Sequence, residues 1–254
     1  AALYLCPAGS EAVAGGGSET TLLVVNSRSV LSLAVANGYI RRRDLPEDHV
    51  LWLDNVPAAA TIDVETFRKR ILAPIRKYLA DSGLEDEIDL IAYSAGFPYA
   101  VNFRSDERAH GLKPDKYRAD AASITGMTFF ARQVEAGQVG YLGRQSNQYF
   151  SRPVSWSQED AKPLVLKDDA KDAVVARVPL TYESARGFRS RYFWGRGSTR
   201  DGMRDTDRYF LSTMLAYTDV EGNSLPEIDD YLTRAAKSDG TQPGGTVYLM
   251  ENGD

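Results

Sequence analysis

The chain has 254 residues, 43% of them hydrophobic and 26% charged, with a formal net charge of −5. This is the composition of a globular chain, not a disordered or collagenous one, and at roughly 100–200 residues per domain it allows one large domain or two small ones. The acidic balance provides no global positive field for duplex nucleic acid or an anionic membrane, and one cysteine with two histidines excludes a disulfide framework and a Cys/His-rich zinc site.

Residues 1–20, with Pro7, Gly9 and Gly15-Gly16-Gly17-Ser18, read as a flexible lead-in that carries the single Cys6. Ala1-Ala2 stands without a preceding Met or leader, as in a processed mature chain or an excised piece. The expected location is extracytoplasmic: periplasm, cell envelope or secreted. No stretch approaches the ~20 apolar residues of a membrane span.

Leu22 to Val25 is a strand-sized apolar run. Asn26-Ser27-Arg28-Ser29 breaks it, and from Val30 the spacing predicts a helix with Ser27 or Ser29 as its cap. Val50 to Leu53 predicts a second buried strand ending at Asp54. A second helix follows from about Val64, capped by Asp63, kinked by Pro74 and closed by Gly83, with Phe67, Ile71, Ile75 and Leu79 on one face. A third strand runs from Ile88 to Tyr93 and stops at Gly96 and Pro98. The βαβαβ run predicts parallel strands in a doubly wound, three-layer α/β fold, with ligands at the carboxyl ends of the strands. The expected cleft is therefore Asn26-Ser27-Arg28, Asp54-Asn55 and Tyr93 to Gly96.

Residues 102–204 read as an irregular, loop-rich insertion, with a short helix at Ile124 to Arg132 and a strand at Ala173 to Ala176. Tyr209, Phe210, Met214 and Leu215 have helical spacing. Ser224-Leu225-Pro226-Glu227 is a capping box opening a helix to about Lys237. Thr246 to Met250 reads as a strand just before Asp254, from which more chain is expected to follow. The domain reading is one α/β domain over 21–254, with its core elements at 21–101 and 205–250.

Three constellations carry chemistry. Ala92-Tyr93-Ser94-Ala95-Gly96 approximates the G-x-S-x-G nucleophile elbow, for which Asp54 and His110 are the candidate partners of Ser94. His110 lies only sixteen residues downstream of that serine, too near for a histidine on a later loop of its own. The competing reading is a tight strand-end turn in which Gly96 and Pro98 shape the backbone. Asn26, Arg28 and Ser29 bring an amide, a guanidinium and a hydroxyl to a helix N-terminus, either as an anion site or as an ordinary cap, without the glycines of a nucleotide loop.

Finally, seven arginines lie between Arg186 and Arg208 against three aspartates, a local +4 in a −5 chain. Arg189, Arg191 and Arg196 alternate there with Phe188, Tyr192, Phe193 and Trp194. Such a segment suits phosphate, sulfate, carboxylate or single-stranded nucleic acid, or a protein partner or second copy of the chain; the alternative is a self-paired loop, which its glycines favour. Asp201, Asp205 and Asp207 do not follow calcium-loop spacing, so neither metal nor cofactor is expected.

The chain also carries a resemblance. Val25-Asn26-Ser27 before a helix, Leu53-Asp54, the helix from Phe67 through Pro74-Ile75, Gly96-Phe97-Pro98, Asn147 to Phe150, Arg208 to Leu215 and Asp239 to Tyr248 are together similar to an uncharacterised family of bacterial, often exported proteins. The resemblance covers about residues 21–254. It implies that the chain continues past Asp254, and it transfers no activity. The strand order also loosely resembles that of caspase- and gingipain-type cysteine peptidases. The chain departs from them at both catalytic positions: the third strand ends in Ser94-Ala95-Gly96, and Cys6 precedes the first. The expectation is a non-catalytic exported binding or structural component; the alternative is a hydrolase, either serine-type at Ser94 or a degenerate peptidase relative.

Overall fold

The computed structural model describes residues 17–112, 120–138, 141–142, 187–189, 193–195, 198–200, 210–218 and 222–238. Its centre is β1, Thr21–Asn26, buried on both faces. Along this strand Leu22 and Val24 point into one hydrophobic core and Leu23 and Val25 into a second, as the two-residue period of a strand requires. Burial on both faces is why the strand reads as a continuous apolar run.

From β1 the chain enters α1, Val30–Arg43, capped by Ser29, whose hydroxyl accepts the Ser32 amide at 3.2 Å. Arg41, Arg42 and Arg43 offset the helix dipole in the last turn, and Asp44 turns the chain out in a left-handed conformation, φ 49°. The second strand, β2, Val50–Leu53, pairs parallel with β1. A short β3, Thr61–Asp63, then leads into one long helical segment: α2, Val64–Phe67, a π-turn over Arg68–Leu72, and α3, Ala73–Asp81. Asp63 caps it, accepting the Thr66 amide at 2.8 Å.

Pro74 explains the π-turn. Proline lacks an amide hydrogen and its ring crowds the carbonyl four residues back. The turn before it widens so that the Ala73 amide bonds the Arg68 carbonyl, five residues back. The helix continues, and its apolar face, Phe67, Ile71, Leu72, Ile75 and Leu79, stays fully buried. At its end, Gly83, φ 71°, closes a Schellman turn in which Leu84 bonds back to Leu79 at 3.0 Å.

The third parallel strand, β4, Leu90–Tyr93, pairs with β1 on the side away from β2. It is followed by β5, Ala100–Asn102, α4, Arg104–Ala109, β6, Ala121–Ser123, α5, Ile124–Phe129, and α6, Ala131–Glu135. These lie in the stretch where the sequence shows little regular pattern, yet Ile124, Met127, Ala131 and Val134 enter the same core as the α2–α3 helix. Strands β3, β5 and β6 form a small mixed sheet, parallel between the first two and antiparallel between the last two.

The Arg-rich segment, predicted as a loop, contains three short antiparallel strands: β7, Gly187–Arg189, β8, Phe193–Gly195, and β9, Ser198–Arg200. Leu211–Met214 is also a strand, β10, where the spacing predicts a helix. It joins the central sheet parallel to β4. Four residues, Leu211-Ser212-Thr213-Met214, are too few to fix a period, and pairing with β4 decides for the strand. The last described element is α7, Leu225–Lys237, opened by the Ser224–Glu227 capping box and packed on α1. Arg42 of α1 joins these helices, donating to Asp229 at 2.6 Å and to Thr233 at 3.0 Å.

The central sheet thus has the order β10-β4-β1-β2, all parallel. With α1 and α7 on one face and α2, α3, α5 and α6 on the other, this is the three-layer α/β arrangement. Most of the lead-in, the strands expected at Ala173–Ala176 and Thr246–Met250, and Cys6, Arg191, Arg196, Asp201, Asp205 and Asp207 lie outside the described residues.

Candidate functional site

In this strand order the chain goes from β1 outward to β2, then returns to place β4 on the other side of β1. The crossover helices therefore lie on opposite faces, and the loops leaving β1 and β4 diverge at the switch point between them. The loops leaving β2 and β4 do not enter helices directly. They run into β3 and β5, and the Tyr99 amide bonds the Ala60 carbonyl at 3.0 Å, which ties the two loops together. Between them and the β1–α1 turn is a cleft of about 600 Å³. Its described lining includes Asn26, Arg28, Ser29, Gly96, Tyr99 and Tyr217.

Asn26 organises the floor. Its Nδ2 donates to the Gly96 carbonyl at 2.8 Å, across the switch point, while its Oδ1 accepts the Arg28 amide at 3.2 Å. Its own amide donates to Ser32 Oγ at 2.9 Å and its carbonyl accepts the Ser29 amide at 3.1 Å. All the polar groups of Asn26 are thereby committed to shaping the turn. Gly96, φ 67°, lies so close to this turn that a Cβ there would stand 2.9 Å from Ser29 Oγ. Only glycine meets both requirements.

Asn26, Arg28 and Ser29 all line the cleft; of the other residues expected there, Gly96 does, and Ser27, Asp54, Asn55 and Tyr93 to Ala95 do not. Arg28 is exposed, and among the described residues its guanidinium has no ionic or hydrogen-bonded partner. Asp54 is exposed beside the same turn, where its Oδ1 accepts the Ser27 hydroxyl at 2.5 Å. Ser94 is fully buried, and its hydroxyl bonds that of Ser32. It belongs to a buried polar link between β4 and α1 rather than to the lining of the cleft.

His110 belongs to a different constellation. Its Nε2 donates to the Gly137 carbonyl at 2.7 Å in the tautomer that satisfies both groups. It lies beside Asp106, which is bonded by Arg68 through both guanidinium nitrogens and by the Tyr141 hydroxyl at 2.5 Å. Burial pushes the Asp106 carboxyl up, but the hydrogen bonds from Arg68 and Tyr141 and the positive charge of Arg68 outweigh it and hold the carboxyl below its usual range. Arg68 also donates to the Val134 carbonyl at 2.6 Å and to Glu65 at 2.5 Å. This cluster ties the π-turn to α4 and α6. The candidate triad Ser94, Asp54 and His110 is linked by no hydrogen bond among the described residues. Of the candidate arginines in the Arg-rich segment, Arg189 lies on β7, in register with Phe193 of β8.

Among the cleft residues that escape the sequence reading are two aromatics. Tyr99 and Tyr217 are half-exposed, with ring centroids 5.6 Å apart in an edge-to-face contact. Tyr217 follows β10, so reading Leu211–Met214 as a strand would have brought its carboxyl end, and Tyr217 with it, under the strand-end rule. Tyr99 sits just beyond Pro98 and carries no comparable signal. The described lining contributes no carboxylate, imidazole, thiol or amine to the cleft. Its polar chemistry is one guanidinium, hydroxyls and amides.

Among the described residues no helix is long and apolar enough to cross a membrane, and no group of three or more His, Cys, Asp or Glu side chains converges to hold a metal ion. No protein-family model, curated protein or solved structure matches the chain.

Proposed function

We propose that this chain is a non-catalytic binding component, acting outside the cytoplasm, whose switch-point cleft takes a small organic anion. The observation that carries this reading is Arg28, a guanidinium without an ionic partner among the described residues, lining a cleft of about 600 Å³ whose described lining holds no acid. The volume is within the ~300–1,000 Å³ of small-molecule sites. The extracytoplasmic setting rests on the resemblance to exported bacterial proteins. A serine hydrolase at Ser94 draws no support from a hydroxyl that is fully buried and bonded to Ser32.

The test is a thermal-shift and calorimetric screen of organic carboxylates and phosphate monoesters against the wild type and Arg28→Ala. At least one anion is expected to stabilise the wild type and to lose about tenfold or more in affinity in the variant, the size of one charge-assisted contact. An anion-independent wild type, or equal binding by Arg28→Ala, rejects the reading. Covalent labelling of Ser94 by a fluorophosphonate probe would replace it with the hydrolase.

A protein partner or second copy at the Phe188–Trp194 segment is a separate part of the proposal. It is supported by the β7–β8 pairing, which sets Phe188 directly opposite Trp194. Sedimentation should find an assembly for the wild type that Trp194→Ala weakens; a monomer at every concentration removes self-association.

A further inference from the structure

Resting on the anion-cleft reading, the geometry points to a narrower ligand class: a carboxylate carried on an aromatic ring, in preference to a phosphate ester or nucleotide. The first observation concerns the β1–α1 turn. A phosphate cradle depends on several free backbone amides converging on the anion, usually from a glycine-rich loop. Here the amides of Ser27, Arg28, Ser29 and Ser32 are spent within the protein, which leaves only those of Val30 and Leu31 at the start of α1. Ser27 donates to the Leu53 carbonyl at 3.0 Å, Arg28 to Asn26 Oδ1 at 3.2 Å, Ser29 to the Asn26 carbonyl at 3.1 Å and Ser32 to Ser29 Oγ at 3.2 Å.

The one cation in the described lining is the planar guanidinium of Arg28. Its fork of N–H donors matches the two oxygens of a single carboxylate, and one positive charge balances one negative charge. A phosphate monoester brings close to two negative charges and a third peripheral oxygen, for which the described lining supplies no second cation. Charge complementarity therefore favours the monoanion.

The second observation concerns the rest of the cleft. Phe97 and the half-buried Val56 and Met214 line it beside Tyr99 and Tyr217. The two tyrosines already meet edge to face, and both leave ring surface in the cleft, with 45% and 37% of each residue exposed. An aromatic ring in the ligand covers this wall, adding stacking to apolar burial, whereas a short aliphatic acid leaves the wall wet. The lining thus pairs one ionic anchor with one aromatic platform.

The experiment uses the full chain and four probes: phenylacetate, phenylacetamide, acetate and phenyl phosphate, each titrated by ligand-detected NMR and calorimetry. Phenylacetate is expected to bind most tightly. Phenylacetamide, without the charge, and acetate, without the ring, should each be weaker by about tenfold or more, and phenyl phosphate weaker than phenylacetate. Arg28→Ala, a change at an exposed side chain, should bring phenylacetate down to the level of the amide; Tyr99→Leu should bring it toward acetate.

Phenyl phosphate binding as well as phenylacetate, with both lost in Arg28→Ala, overturns the carboxylate preference and leaves the anion-cleft reading standing. Acetate binding as well as phenylacetate overturns the aromatic wall in the same way. Phenylacetamide matching phenylacetate, or the absence of Arg28-dependent binding by any of the three anions, overturns the inference, and the latter result also counts against the reading beneath it.

Discussion

Replacing Asp106 by Ala is expected to destabilise the protein by about 3–5 kcal/mol, the usual cost of removing one partner from a buried ion pair. The carboxylate accepts both guanidinium nitrogens of Arg68 and the Tyr141 hydroxyl, with side-chain exposures of 9% for Asp106 and 15% for Arg68. Truncation leaves Arg68 with the exposed Glu65 as its remaining ionic partner among the described residues, and it removes the acceptor of the Tyr141 hydroxyl. Denaturant unfolding should show a lower midpoint with little change in slope. The double variant Arg68→Met, Asp106→Leu should be less impaired than Asp106→Ala, because it removes both charges together. Equal or greater loss in the double variant would show that packing, not the uncompensated charge, sets the cost.

The same pair has a pH signature. The Asp106 carboxyl is held low in the folded state, so the unfolded chain binds its proton first as the solution is acidified. Its contribution is therefore complete above the unfolded carboxylate pKa of about 3.9 and is lost as pH falls through that value toward the folded one. The stability gap between wild type and Asp106→Ala should be wide at neutral pH and narrow below about pH 4. A gap independent of pH over that window would contradict the assignment.

Gly96→Ala is expected to cost about 2–3 kcal/mol and to abolish the anion binding proposed for the cleft. At φ 67° an alanine bears roughly 1–2 kcal/mol of left-handed strain. Its Cβ would also lie 2.9 Å from Ser29 Oγ and 3.2 Å from Ser29 Cβ. Relief requires Ser29 to turn away from the Ser32 amide, giving up the α1 cap, worth about 1 kcal/mol. Because the Gly96 carbonyl is held by Asn26, the displacement passes directly to the turn that presents Arg28. Thermal unfolding and the anion titration together check this. A variant with wild-type stability and binding would show that the β4–β5 loop accommodates a side chain, against the geometry.

These effects concentrate where local pattern and tertiary contact meet, and the same division marks what was legible in the sequence. The parallel strands β1 and β4 announce themselves because strands buried on both faces read as near-continuous apolar runs, and β2 reads the same way although Trp52 is exposed at the sheet edge. The caps at Ser29, Asp63 and Ser224 are equally legible, since a helix start needs a side-chain acceptor for its free amides. Pro74 signals a distortion, but the sequence does not show that it takes the form of a π-turn that keeps the helix continuous.

Strand β10 was not legible. Four apolar or neutral residues fit either period, and the choice is made by hydrogen bonds to β4, over 100 residues away in the chain. Misplacing that strand conceals Tyr217, and with it one wall of the cleft. The Arg68–Asp106–Tyr141 cluster was invisible for the same reason: its members are distant in sequence, and nothing in their immediate neighbours marks them as partners.

What the sequence determined alone is the α/β class, the parallel core, the helix starts and the position of Asn26, Arg28 and Ser29 at a strand end, because burial periodicity and capping are short-range properties. What only the tertiary structure decided is which strand ends meet. It places Gly96 under Asn26, withdraws Ser94 beneath the floor, sends His110 to the Asp106 cluster and gathers Tyr99 and Tyr217 beside Arg28. Those placements follow from strand order and backbone pairing, and long-range pairing leaves no local periodicity in the chain that forms it.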